Sequence, residues 1–165
     1  MQDLDTPAAL GADSLEPLAN RLETVLTRLT SRYRAMPESK LLGRLSDGRS
    51  RAAAGHELAS LLARAAQGVE DRAQPLPPAW RSLPFEGPFV VGDQLGVTGH
   101  DLLAAYARLG AYATLGADAR LGADSAATAA TTAVWAPTGV RCDRTGVGTV
   151  LDRVLTAAED LARVL

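Results

Sequence analysis

The polar residues most able to do chemistry lie near the middle of the chain, where Asp93 is followed seven residues later by His100 and Asp101. A histidine beside a carboxylate can act as a general base, and a helix N-terminus can bind an anion. These positions also have a structural use, because Thr98 and Asp101 have the spacing of a helix-capping box. Capping is the favoured interpretation, and Asp93, His100 and Asp101 form a hypothetical ligand-binding site.

Other catalytic and metal-binding patterns are incomplete. His56 and Glu57 begin an HExxH zinc motif, but Ser60 stands where the second histidine is required. Cys142 is the only cysteine, so it allows no internal disulfide, and no histidine lies near it in sequence. The segment 146–149, Gly-Val-Gly-Thr, lacks the lysine and the spacing of a phosphate-binding loop. We therefore predict no catalytic residue, no metal and no cofactor, and an enzymatic role is disfavoured.

Charge is distributed unevenly along the chain, although the formal net charge is only -2. Acidic residues dominate before Glu23, whereas the basic residues of the span 28–51 face only Glu38 and Asp47. The candidate basic patch consists of Arg28, Arg32, Arg44, Arg49 and Arg51. Such a patch predicts polyanion binding that weakens with added salt. The favoured alternative is a solvated arginine surface, enriched by the codon usage of a GC-rich bacterial genome.

Hydrophobic periodicity predicts the elements that position these residues. Apolar residues recur at spacings of three and four, which indicates amphipathic helices. The predicted helices cover about residues 14–33, 50–70, 99–113, 125–135 and 147–165. The fourth is uncertain in type, because its Thr-Thr-Ala-Val-Trp ending also suits a strand. Helices with one apolar stripe must pack together, so we predict an all-α fold, a four- to five-helix bundle.

A proline-rich segment separates the second and third predicted helices. Residues 75–88 read PLPPAWRSLPFEGP, and the five prolines disfavour a helix. We predict an extended crossover over residues 74–97, called the strap, in which Trp80, Phe85 and Phe89 form an interaction surface. It would join nonadjacent helices or allow an antiparallel return. Residues 1–165 are predicted to form a single domain, with a flexible N-terminal tail over residues 1–12.

The leading functional hypothesis is a non-catalytic interaction or adaptor protein, which forms a homodimer or binds a protein partner. One alternative is a nucleic-acid or polyanion-associated regulator that uses the basic span 28–51. Another is a small-ligand protein or enzyme with a site near Asp93, His100 and Asp101. No stretch approaches the roughly 18 apolar residues of a membrane-spanning helix, and the N-terminal residues lack the basic and apolar regions of a signal peptide. We therefore expect a cytoplasmic protein that does not bind membranes.

Overall fold

The computed structural model describes residues 15–117, 132–138 and 141–165. The helices are α1 (Leu15–Arg34), α2 (Glu38–Leu41), α3 (Arg51–Glu70), α4 (Val91–Ala117) and α5 (Val147–Val164). Strands β1 (Ala133–Thr138) and β2 (Arg141–Gly146) form an antiparallel hairpin. The prediction of an all-α helical bundle is confirmed, and the small hairpin is an addition to it. The predicted N-terminal tail, residues 1–12, lies outside the described residues.

The four long helices form a ring in the order α1, α4, α3, α5, in which each helix packs against two others. Helices α3 and α4 run parallel, because His56 faces Gln94 near one end and Glu70 faces Arg108 near the other. The strap therefore joins two adjacent parallel helices. This path differs from both expected paths, the connection of nonadjacent helices and the antiparallel return.

Helix α1 runs antiparallel to α4, and the two backbones approach closely. Arg34 meets Asp93 at one end of the contact, and Leu26 lies against Gly99 farther along α4. A Cβ atom at Gly99 would lie 2.8 Å from Cδ1 of Leu26, inside ordinary van der Waals separation. Glycine at this position therefore permits the close packing of the two helices.

The core between the helices is mainly aliphatic. Its largest fully buried side chains include Leu22, Leu29, Leu62, Leu95, Leu102 and Leu151. Each buried leucine contributes roughly 1.5–3 kcal/mol relative to an exposed one. Tyr33 is also buried, with 2% of its surface exposed, and its hydroxyl donates a 2.7 Å hydrogen bond to the Arg51 carbonyl. Burial raises the pKa of Tyr33 above its ordinary value, although the nearby guanidinium of Arg51 lowers it in part.

Helix α4 begins at Val91, eight residues before the predicted start at Gly99. Thr98 is therefore an interior residue, and its hydroxyl donates a 2.8 Å hydrogen bond to the Gln94 carbonyl. The prediction that Thr98 caps the helix is wrong. The physical reason is that buried Val91 and Leu95 continue the apolar stripe toward the N-terminus. The strap is correspondingly shorter, residues 74–90, and ends in a 3-10 turn at Pro88–Val90.

The predicted fourth helix, residues 125–135, is wrong where the structure describes it. Residues 133–135 belong to β1, in which Val134 pairs with Thr145 of β2, whereas residues 125–131 lie outside the described part of the chain. The strand packs directly on α3 at Gly68. A Cβ atom there would overlap the Trp135 carbonyl oxygen and lie 2.9 Å from the carbonyl carbon. The absence of a side chain at Gly68 thus makes room for the strand.

Candidate functional site

Two glutamine side chains hold the strap over the groove between α3 and α4. The Gln67 amide donates to the Ala79 carbonyl at 3.1 Å and accepts from the Arg81 backbone N–H at 3.1 Å. Farther along, the Gln94 amide donates to the Pro84 carbonyl at 2.7 Å. Each such bond contributes about 0.5–1.5 kcal/mol. The strap backbone is therefore fixed at two levels along the groove.

His56 supports the attachment at Gln94. Its Nδ1 lies 3.1 Å from Oε1 of Gln94, and its ring packs edge-on against Phe85 with centroids 5.2 Å apart. Because Gln94 donates to the strap through its nitrogen, its oxygen is the acceptor, and Nδ1 of His56 carries the proton. The interaction gives His56 a structural role in attaching the strap.

The aromatic residues of the strap differ in exposure. Trp80 is half-buried beside Gly68, whereas Phe85 and Phe89 are 52% and 63% exposed. These are the only two phenylalanines of the chain. The turn that contains Phe89 packs against α2, which carries Lys40. We call the exposed residues Phe85, Glu86 and Phe89 together the strap surface.

Beside the strap, the groove between α3 and α4 stays open as a cavity of about 570 Å³. Arg81 and Leu83 form its strap wall, Ala66 and Ala104 lie along its helices, and His100 lies at its exposed edge together with Asp101. The volume falls within the range of known ligand sites.

Asp93, the third member of the predicted ligand-binding site, does not line this cavity. It forms an ion pair with Arg34, with 2.7 Å between Oδ1 and Nη2. The structure thus places His100 and Asp101 beside the cavity, whereas Asp93 lies at the contact with α1. Within the described ranges, no group of three or more histidine, cysteine or acidic residues could hold a metal ion.

Arg49, a member of the predicted basic patch, is paired with two acids. Its guanidinium contacts Asp47 at 2.6 Å and also contacts Glu57. Hydrogen bonds from Arg49 lower the pKa of Asp47. The positive charge of Arg49 is therefore largely compensated by one acid of its own loop and one acid of α3.

The other members of that patch lie on α1, in the loop before α3 and at the start of α3. Arg44 and Arg51 lie around the start of α3 and donate to backbone carbonyl groups at 2.6 and 3.4 Å. Arg28 and Arg32 are exposed on α1. Arg44, Arg49 and Arg51 thus each donate to an acceptor within the chain.

Neither Gln67 nor Gln94 belongs to a motif that marks it in the sequence. Both are isolated amides on helices that are otherwise rich in alanine, glycine and leucine. A proline-rich segment has few backbone donors of its own but keeps its carbonyl groups, so amide side chains suit it as partners. Isolated glutamines on the helices that flank a proline-rich segment are therefore the sequence feature that could have predicted the two attachments.

No protein-family model matches the sequence, and no curated protein or solved structure matches it. Among the helices of the described residues, none is long and apolar enough to cross a lipid bilayer.

Proposed function

We propose that this protein is a non-catalytic interaction module that binds a protein, either another protein or a second copy of itself, through the strap surface. The observation that supports the proposal is the exposure of Phe85 and Phe89 on a strap whose backbone is hydrogen-bonded to Gln67 and Gln94. Aromatic side chains are enriched at the centres of protein interfaces.

A fixed strap suits recognition for an energetic reason. Ordering a flexible loop on binding costs free energy, and a segment that is already ordered avoids much of that cost. Covering an exposed phenylalanine then contributes roughly 1.5–3 kcal/mol to association. The proposal therefore assigns the Gln94 attachment a purpose beyond stability, because it fixes the backbone next to Phe85 before a partner binds.

Site-specific photo-crosslinking tests the proposal. A photoreactive phenylalanine analogue replaces Phe89 in one variant and Val164, an exposed apolar residue of α5, in a control variant. We expect a defined adduct from position 89, no matching adduct from position 164, and loss of the adduct when Phe85→Ser is added. Equal adducts at both positions, or none at position 89, would contradict an interaction role for the strap surface.

A further inference from the structure

We propose that two copies of this chain form a two-fold dimer in which Phe85 of each copy enters the α3/α4 cavity of the other. The inference rests on the proposed function, because it uses the same strap surface and adds the identity of the partner. It gives a role to the cavity, which the proposed function does not require.

The first argument is that an exposed aromatic side chain lies near a cavity that it does not fill. The Phe85 ring packs against His56, and the hydrogen bond between Gln94 and the Pro84 carbonyl fixes the adjoining backbone. The cavity lies farther along the groove, beside Ala66, and is lined by Leu83 but not by Phe85. Phe85 therefore leaves the cavity of its own chain unfilled.

The second argument is symmetry. A two-fold axis makes an interface in which residue i contacts residue j and residue j contacts residue i. An axis near Leu83, which lies between Phe85 and the centre of the cavity, would place each phenylalanine over the cavity of the other copy. Both contacts then form at once, and the assembly closes at two subunits.

The third argument is the charge beside each element. Glu86 follows Phe85 directly, and Arg81 lies on the cavity wall. Neither side chain forms an ion pair within the described part of the chain. With the axis near Leu83, Glu86 of one copy faces Arg81 of the other. Complementary charges of this kind orient an interface more than they strengthen it.

Sedimentation equilibrium of the full chain measures the dimer. We expect Phe85→Ser to weaken dimerisation by about 100-fold or more, because each removed contact occurs twice. Ala104→Arg, which fills the cavity with a longer side chain at a half-exposed helical position, should weaken it similarly. The control Val164→Ser, on α5, should leave it unchanged. Circular dichroism melting establishes that each variant is folded.

Mixing the variants gives the sharpest test. Phe85→Ser keeps an intact cavity, and Ala104→Arg keeps an intact phenylalanine, so a heterodimer retains one complete contact. The mixture should therefore dimerise more tightly than either variant alone. If Ala104→Arg does not fold, a charge exchange replaces it: Arg81→Glu and Glu86→Arg should each weaken the dimer, and the double variant should restore it.

The outcomes separate this inference from the proposed function. A monomeric wild-type chain, or a dimer unaffected by Phe85→Ser and by the cavity or charge variants, would overturn the inference. If crosslinking at position 89 to a different protein still depends on Phe85, the proposed function stands without the dimer. If neither dimer nor crosslink depends on Phe85, both proposals fail.

Discussion

A methyl group added at Gly68 is expected to displace the hairpin from α3. The Cβ atom of Gly68→Ala would overlap the carbonyl oxygen of Trp135 and lie 2.9 Å from its carbonyl carbon, whereas carbon contacts are normally about 3.5–4 Å. The atoms in the way belong to backbone, so no side-chain rotation relieves the overlap. The strand must therefore move by roughly 1–2 Å or separate from the helix.

The size of the effect follows from what β1 buries. Val134, Trp135 and Ala136 are all buried, and Trp135, the largest of them, has only 7% of its surface exposed. Overpacking of this kind costs about 1–3 kcal/mol, and loss of a buried tryptophan about 3–5 kcal/mol. Alanine in place of glycine in a helix returns up to about 1 kcal/mol. We expect a net loss of about 2–4 kcal/mol, which corresponds to a lowering of Tm by roughly 4–16 °C.

Urea unfolding followed by tryptophan fluorescence is the assay, because both tryptophans of the chain lie beside Gly68. The matched control is Gly96→Ala on α4, where the new Cβ would lie 3.4 Å from the Thr30 side chain, an ordinary contact. This control should be neutral or stabilising by up to about 1 kcal/mol. Unchanged stability and fluorescence of Gly68→Ala would refute the direct packing of strand on helix.

Three further predictions concern buried or anchoring polar groups. Thr30→Val should raise the free energy of unfolding by about 1 kcal/mol, since the buried Thr30 hydroxyl has no hydrogen-bond partner in the described ranges; a loss of stability in urea would contradict this. Tyr33→Phe should cost about 1 kcal/mol at neutral pH through loss of the bond to the Arg51 carbonyl. Because the pKa of Tyr33 is raised by folding, wild-type stability should fall as pH rises above about 10, and the variant should fall less; parallel pH profiles would refute the assignment. Gln67→Ala should remove two strap bonds, destabilise by about 1–2 kcal/mol and abolish protection of the Arg81 amide in hydrogen exchange, whereas retained protection would show that the strap is held by other contacts.

The sequence predicts α1, α3 and α5 to within a residue or two at the described ends, because each carries a regular apolar stripe. The structural ranges are Leu15–Arg34, Arg51–Glu70 and Val147–Val164. At Ser50, the predicted helix start also has a local cause, since its hydroxyl accepts a 3.0 Å hydrogen bond from the Ala53 N–H. Information of this kind is local, so the sequence alone supplies it.

The misplaced features depend on contacts between distant residues. Thr98 and Asp101 have capping spacing, but burial of Val91 and Leu95 against other helices extends α4 past them. In the same way, β1 forms where Gly68, more than sixty residues earlier, allows a backbone to approach α3. The Gly68 contact leaves no periodic signal within β1, and the apolar stripe of α4 is interrupted between Leu95 and Leu102, where Thr98 and Gly99 stand.

The candidate site was only partly accessible to sequence reasoning. The aromatic residues of the strap stand out because they lie among prolines, and His100 and Asp101 stand out as a polar pair. The cavity itself depends on the parallel pairing of α3 with α4, which no local pattern specifies. For the same reason, Asp93 could not be separated from the other two residues before its contact with Arg34 was known.

The ring order of the helices has a consequence for folding kinetics. Helix α1 packs on α4 and on α5, and the ion pair between Arg21 and Glu159 joins positions near opposite ends of the chain. Helices α3 and α4 are parallel, so they can pack together only after the strap has run back along the length of the groove. Closing such loops costs entropy before the contacts form. This bundle should therefore fold more slowly than one of equal length whose consecutive helices pair as antiparallel hairpins.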